Sequence, residues 1–207
     1  RYQDTMKADC FSDIKMRFVI ENPPFGTAWG GKDAAEGVEK AVKDEHKKPN
    51  SRWGIGLPGS GDMQMLFLQS AVNKMDDNYG RCAIIENGSP LFTGGTASGE
   101  SQIRRWLLEN DLIEAIVQMP TDLFYNTGIS TYVWILSKNK RAERKGKIQL
   151  IDASGICHKL RKPLGNKKNE FSPEDRATIT KLYADFEENE LVKIYDNEEF
   201  IYREYAV

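Results

Sequence analysis

A chain of 207 residues is long enough for one domain with a real core. Hydrophobic residues at 40% and charged residues at 29% suit a soluble globular fold, and no run approaches the roughly 18 apolar residues of a membrane span. A net charge of −2 gives no global pull toward nucleic acid, so any such binding must rest on local patches or a basic partner. Cys10, Cys82 and Cys157 are an odd set without C-x-x-C spacing. They fit a reducing cytoplasm, not a disulfide framework or a zinc site. His46 and His158 are too far apart in sequence to suggest a metal site or a Ser-His-Asp triad. The start, Arg1-Tyr2-Gln3-Asp4, is neither an initiator Met nor a signal peptide, and the expectation is that an upstream part is missing.

In chain order, the apolar run Phe18-Val19-Ile20 predicts a short buried strand. Residues 26–61 follow as a long loop without strong periodicity, with a weak helix around 34–42; loops of that length are either functional or disordered. Asp62 can cap a helix in which Met65, Leu68, Val72 and Met75 recur at helical spacing. Strands are expected at 82–85, 113–119, 132–136 and 148–151. Between the first two of these lies a helix with Ile103, Trp106 and Leu107 on one face and Ser98 or Ser101 as cap. The last helix has the clearest start: Ser172 as cap, Pro173 at the first position, then Glu174 and Asp175 in the first turn.

This order is an α/β pattern. The early strands should be parallel with helical crossovers, while the short basic turn at 138–147 predicts that the last two strands form an antiparallel edge hairpin. Ligands of open α/β sheets bind beyond the carboxyl ends of the strands. Asn22-Pro23-Pro24-Phe25 sits at such an end. Two prolines cannot continue a ladder, so the chain leaves the sheet in a stiff, extended form. Asn22 offers a neutral amide oxygen, Pro23 a carbonyl and Phe25 an aromatic ring. That set suits a flat ring with an exocyclic amine. The amino nitrogen of adenine is a poor nucleophile because its lone pair is delocalised. Hydrogen bonds accepted from both amino protons favour a more tetrahedral nitrogen, and the electrophile would be a sulfonium methyl group. A base in duplex DNA must first be flipped out and then stacked, on Phe25 from one side and on Phe124 or Tyr125 from the other. On these four residues alone, a plain turn after a strand with Phe25 in the core remains an open alternative.

Asn-Pro-Pro-Phe after a buried strand resembles the catalytic motif of adenine amino-methyltransferases. The downstream segments 62–68, 80–85, 91–92, 103–107, 112–117, 123–129 and 146–152, in that order, together resemble the modification subunit of type I restriction-modification systems from about Asp13 onward. That resemblance implies a Rossmann-like methyltransferase sheet, mostly parallel and truncated at its N-terminal, cofactor-binding side. It implies residues 1–170 as the C-terminal portion of a catalytic domain, with 171–207 as a helix and tail packing on it. It implies methyl transfer from S-adenosylmethionine to adenine in DNA. Asn22, Pro23, Pro24 and Phe25 would be catalytic, Asn22 and Pro23 would also touch the cofactor, and Phe124 and Tyr125 would flank the flipped base. Implied partners are double-stranded DNA, a specificity subunit, a nuclease/translocase subunit and a second copy of the chain. The main cofactor motif, a Gly-rich turn after an upstream strand, is absent. Gly59-Ser60-Gly61-Asp62 is not preceded by a strand and reads as a loop and helix cap.

Two basic stretches remain. The turn at 138–147 reads as a solvated hairpin tip or a phosphate contact; Lys159, Arg161, Lys162, Lys167 and Lys168 are candidates for the DNA backbone. Trp29 and Trp53 of the long loop are candidates for a lip over DNA, in a segment that is either ordered or disordered without it. Competing functions are methylation of a protein glutamine or an RNA base, and a non-catalytic assembly module. Glu21, directly before the motif, is expected to point into solvent or to repel a phosphate.

Overall fold

The computed structural model describes residues 3–203 and 205, so the first two residues named above and part of the C-terminal tail lie outside the described residues. Six strands form one sheet in the order β1 (Phe18–Glu21), β2 (Arg81–Asn87), β4 (Thr131–Ser137), β3 (Ile113–Gln118), β5 (Lys147–Asp152) and β8 (Val192–Asp196). β1 and β2 are parallel, as are β3 and β5. β4 is antiparallel to both β2 and β3, and β8 is antiparallel to β5. β1, β2, β3 and β5 therefore share one direction, and their carboxyl ends lie along one edge of the sheet. This is an α/β sheet with mostly codirectional strands and antiparallel strands between and beside them.

The expected hairpin between β4 and β5 does not form. β4 lies between β2 and β3, and β5 pairs with the far side of β3. Buried cations in the connecting segment explain the difference. Lys140, 4% exposed, donates to Asp111 Oδ1 at 2.6 Å and to the Lys147 carbonyl at 2.7 Å. Gly146 N–H donates to the other Asp111 oxygen. Asp111, just before β3, thus draws the segment beneath the start of that strand and delivers β5 beyond it. The basic turn is consequently neither a solvated tip nor a DNA contact at Lys140 and Arg144, which are both buried.

Helices α2 (Gln64–Lys74) and α4 (Gly99–Glu109), with the short α3 (Ser89–Phe92) between them in sequence, cover one face of the sheet. Met65, Leu68, Val72 and Met75 meet Cys82, Ile84, Trp134 and Leu136 there, with Ile103 and Leu107 of α4. Ser98 caps α4 by accepting from Ser101 N–H. Past α4, over β5 and β8, an apolar groove of about 430 Å³ is lined by Leu108, Ile116, Leu150 and Tyr195 and by no residue of the motif. α5 (Pro173–Asp185) covers the opposite face through Ile179, Leu182 and Tyr183 against Val117, Ile151 and Val192. Its start is the expected one: Ser172 and Asp175 form a reciprocal capping box, with Pro173 in the first turn.

The long segment 26–61 is ordered. It carries α1 (Val38–His46) and builds a second core from Met6, Trp29, Val38, Val42, Trp53, Met63 and Leu66. Trp29 and Trp53 are 4% and 0% exposed, so they hold this core and form no lip. Trp53→Ala should lower stability by about 4 kcal/mol, the usual range for emptying a buried Trp site. Urea unfolding measures the loss, and hydrogen exchange should rise first within 26–61 while the sheet stays protected.

Candidate active site

At the carboxyl end of β1 the chain passes through Asn22, which is exposed, Pro23, which is buried, and Pro24, which is exposed. Phe25 is half-buried. Asn22 makes no side-chain hydrogen bond among the described residues, so its amide oxygen is available. The stiff prolines carry the backbone off the sheet, and Gly26 then turns it with φ +62°, a conformation that favours glycine. Beyond the turn the chain is tied to the entrance of α2: Met63 N–H donates to the Thr27 carbonyl, and Trp29 and Gly30 N–H both donate to the Ser60 carbonyl. The motif is thus clamped between a strand and the start of a helix.

Phe25 meets Phe124 edge-to-face, with ring centroids 6.1 Å apart and planes at 88°. Phe124 lies in the connection from β3 to β4, at the same edge of the sheet because β3 runs with β1. Tyr125, named beside it from the sequence, is 66% exposed, and Gly165 sits directly under its ring. Of the three aromatic residues, Phe25 and Phe124 come together.

Gly165 belongs to a hairpin that sequence reading missed, β6 (His158–Leu164) and β7 (Lys167–Glu170), a separate two-stranded sheet. Lys159, Arg161, Lys162 and Lys168 are exposed on it and Lys167 is half-buried. Only Lys168 of these has an ion pair among the described residues, with Asp122 at 3.6 Å.

A second group of polar residues lies at the end of β2. Gln64 joins Asp62 to the strand: its Nε2 donates to Asp62 Oδ2 at 2.6 Å, and its Oε1 accepts from Asn87 N–H at 2.7 Å. Glu86, one residue earlier, is fully buried with neither carboxyl oxygen hydrogen-bonded. Burial first, then the charges of Asp62 and Glu21, push its carboxyl well above the usual range. The pattern that flags it is readable in retrospect: Cys82, Ile84 and Glu86 alternate onto one buried face of the strand.

Glu21 does not point into open solvent, and it takes up its charge only as pH rises through about 6. It is half-buried, and burial pushes its carboxyl up to about 6. The folded state therefore binds a proton that the unfolded state releases near the ordinary 4.5. This stabilisation is complete below about pH 4.5 and is lost as pH rises through about 6. Glu21→Gln should match wild type at pH 4.5 and gain about 1 kcal/mol at pH 8, after allowance for partial solvent screening. Urea titrations of both proteins at the two pH values check this.

The residues at the end of β1 offer hydrogen-bond acceptors and an aromatic ring at one edge of the sheet. The Gly-rich loop among the described residues is not an open cradle for a nucleotide-like cofactor. The loop at Gly59-Ser60-Gly61 is closed off, since Gly59 N–H donates to Glu100 Oε1 at 2.6 Å and the Ser60 carbonyl already takes two donors.

A Rossmann-like sheet with Asn-Pro-Pro-Phe at a strand's carboxyl end defines a methyltransferase fold. The chain belongs to the N-6 DNA methylase family, whose model matches residues 1–207. It is 30% identical over 188 residues to the type I restriction enzyme MjaVIII methylase subunit of Methanocaldococcus jannaschii, covering 90% of this chain and 30% of that protein. It is 29% identical over 167 residues to the HindI methylase subunit of Haemophilus influenzae, covering 81% of this chain and 33% of that one. The crystal structure of a type I restriction-modification methyltransferase subunit from Streptococcus thermophilus superposes with a TM-score of 0.78 at 25% identity, over 95% of this chain and 38% of that one. The chain thus spans about a third of the length of the curated relatives it matches.

Proposed function

We propose that this chain forms the base-accepting part of a DNA adenine amino-methyltransferase, the modification subunit of a type I restriction-modification complex. The observation that carries the reading is the motif itself: an exposed Asn22 with a free amide, on a rigid strand exit, with Phe25 against Phe124, in a chain of the N-6 DNA methylase family. Asn22 Oδ1 accepts one proton of the adenine amino group and the Pro23 carbonyl accepts the other. Both bonds strengthen as the nitrogen becomes tetrahedral, so they favour the transition state over the ground state. S-adenosylmethionine, when bound, supplies the electrophilic methyl group. No strong base is required, because the proton departs after the new bond has formed.

Phe25 and Phe124 must part to admit the flipped base. Their contact is worth about 0.5–1.5 kcal/mol, and stacking returns about 1–3 kcal/mol per base, so stacking offsets the lost contact and part of the few kcal/mol that flipping costs. The exposed lysines and arginine of the β6–β7 hairpin face solvent as phosphate contacts would. Phe18 and Ile20 are 65% and 85% exposed on the edge strand β1. Open apolar edges are hazardous in isolation. We therefore take this edge as the place where cofactor-binding strands extend the sheet. A specificity subunit, a nuclease/translocase subunit and a second copy of the chain complete the proposed complex. No helix of the described residues is long and apolar enough to cross a membrane. We place the work on DNA in the cytoplasm, a compartment that keeps thiols such as Cys10, Cys82 and Cys157 reduced. The test offers the full-length protein, with its partner subunits and isotopically labelled S-adenosylmethionine, three acceptors: duplex DNA, RNA and protein. Label confined to adenine in DNA supports the reading; label in a protein glutamine or in RNA overturns it.

A further inference from the structure

We propose that the β6–β7 hairpin braces the aromatic segment of the site, and that Gly165 is a positioning residue for methyl transfer. The proposal rests on the adenine-methylation reading above.

The hairpin joins no strand of the main sheet. Its second half instead grips the segment 121–125. Lys168 and Asn169 N–H donate to the Asp122 carbonyl at 2.9 and 3.1 Å, and Asn166 N–H donates to the Tyr125 carbonyl at 2.9 Å. Asn169 Nδ2 adds a bond to the Thr121 carbonyl at 2.9 Å. Three of these four bonds are backbone to backbone, so the hairpin fixes where the segment's main chain runs. Within itself the segment has little to hold it. A single bridge links Phe124 and Thr127, Asp122 adopts φ +58°, and Tyr125 and Asn126 are exposed.

Gly165 makes the close approach possible. Its φ is +60°, and a Cβ there would stand 2.8 Å from the Tyr125 carbonyl oxygen and 3.0 Å from the ring. Backbone oxygen cannot swing aside as a side chain would, so any larger residue pushes the hairpin and the segment apart. The next residue along, Phe124, is the one in contact with Phe25 of the catalytic motif. A continuous line of contacts thus runs from the hairpin tip through 124–125 to the ring on which the base would stack. Displacement at Gly165 becomes misplacement of the base, and a shift of about 1 Å in a reacting group can cost about 10²-fold in rate.

The test uses the full-length protein in its complex, with a duplex carrying 2-aminopurine at the mapped target adenine for binding, and the natural duplex for turnover. Gly165→Ala is expected to lower kcat by about 10²-fold, with KM for S-adenosylmethionine within about twofold of wild type. The 2-aminopurine emission on binding should rise, as the flipped base loses its stacking partner. Asn169→Ala removes one of the four bonds without a steric clash and should lower kcat by about threefold to tenfold in the same pattern. It decides the matter if Gly165→Ala does not fold. Folded variants with wild-type kcat and emission overturn the brace. So does a rise in KM for DNA with kcat unchanged, which would make the hairpin a phosphate grip alone. Asn22→Ala runs beside them: if it is inactive while the hairpin variants are normal, only the brace fails, and if it stays active, the underlying reading fails and takes the brace with it.

Discussion

Asn22→Ala should reduce the single-turnover rate of methyl transfer by about 10³-fold or more, with little change in melting temperature. Removing one preorganised hydrogen-bonding group at a reacting centre typically costs about 10²–10³-fold, and loss of alignment between nitrogen and methyl adds to it. The side chain is exposed and makes no hydrogen bond among the described residues, so the fold has no stake in it. This separates the variant from the core substitutions, which act through stability. DNA affinity should hold or improve slightly, because Phe25, Phe124 and the hairpin cations are untouched. A rate within tenfold of wild type would remove Asn22 from the chemistry.

A large effect on stability is also expected at Glu114, far from the motif. Its carboxylate is 1% exposed and accepts from Arg81 at 2.9 Å and from the Tyr183 hydroxyl at 2.6 Å, with Arg144 at 3.6 Å. Arg144, itself buried, donates to Gln149 at 2.9 Å and to the Tyr183 carbonyl, and its guanidinium lies over the rings of Tyr183 and Phe186. This network ties α5 to β2, β3 and β5. Glu114→Ala leaves a buried guanidinium without its anion, and breaking one side of such a pair costs about 3–5 kcal/mol. We expect about 3 kcal/mol, since Arg81 is one-third exposed and regains water. Glu114→Gln, which can still accept from Tyr183, should lose less. Urea unfolding gives the loss, and hydrogen exchange in α5 should rise ahead of the rest. A loss below about 1 kcal/mol for the Ala variant would mean that apolar contacts alone hold α5.

What could be read from the sequence followed the strength of local signals. α5 and α4 announce themselves through Ser172-Pro173 and Ser98, because caps are short-range chemistry. β1 to β5 appear as apolar runs. Their pairing did not follow from the length of the turn at 138–147, because two of its cations are structural and buried against Asp111, Gln149 and Tyr183. A charge run looks the same in sequence whether it is solvated or neutralised within the fold. The β6–β7 hairpin was hidden for a related reason: Lys159, Arg161, Lys162 and Pro163 mask the alternation, and both faces are largely exposed, so no apolar period exists to detect. The loop around Trp29 and Trp53 lacks the periodicity that would mark them as core, yet both are buried in one. At the site, Asn22 to Phe25 were legible as a motif. That Phe124 reaches Phe25, about 100 residues away in the chain, and that Tyr125 rests on Gly165, about 40 away, depends on contacts that no local pattern encodes.

The most direct test of the catalytic claim is a map of methylated adenines in genomic DNA from cells carrying the full-length system, wild type against Asn22→Ala. The account predicts a recurrent methylated site in the wild type that disappears in the variant. An unchanged methylation map would contradict it.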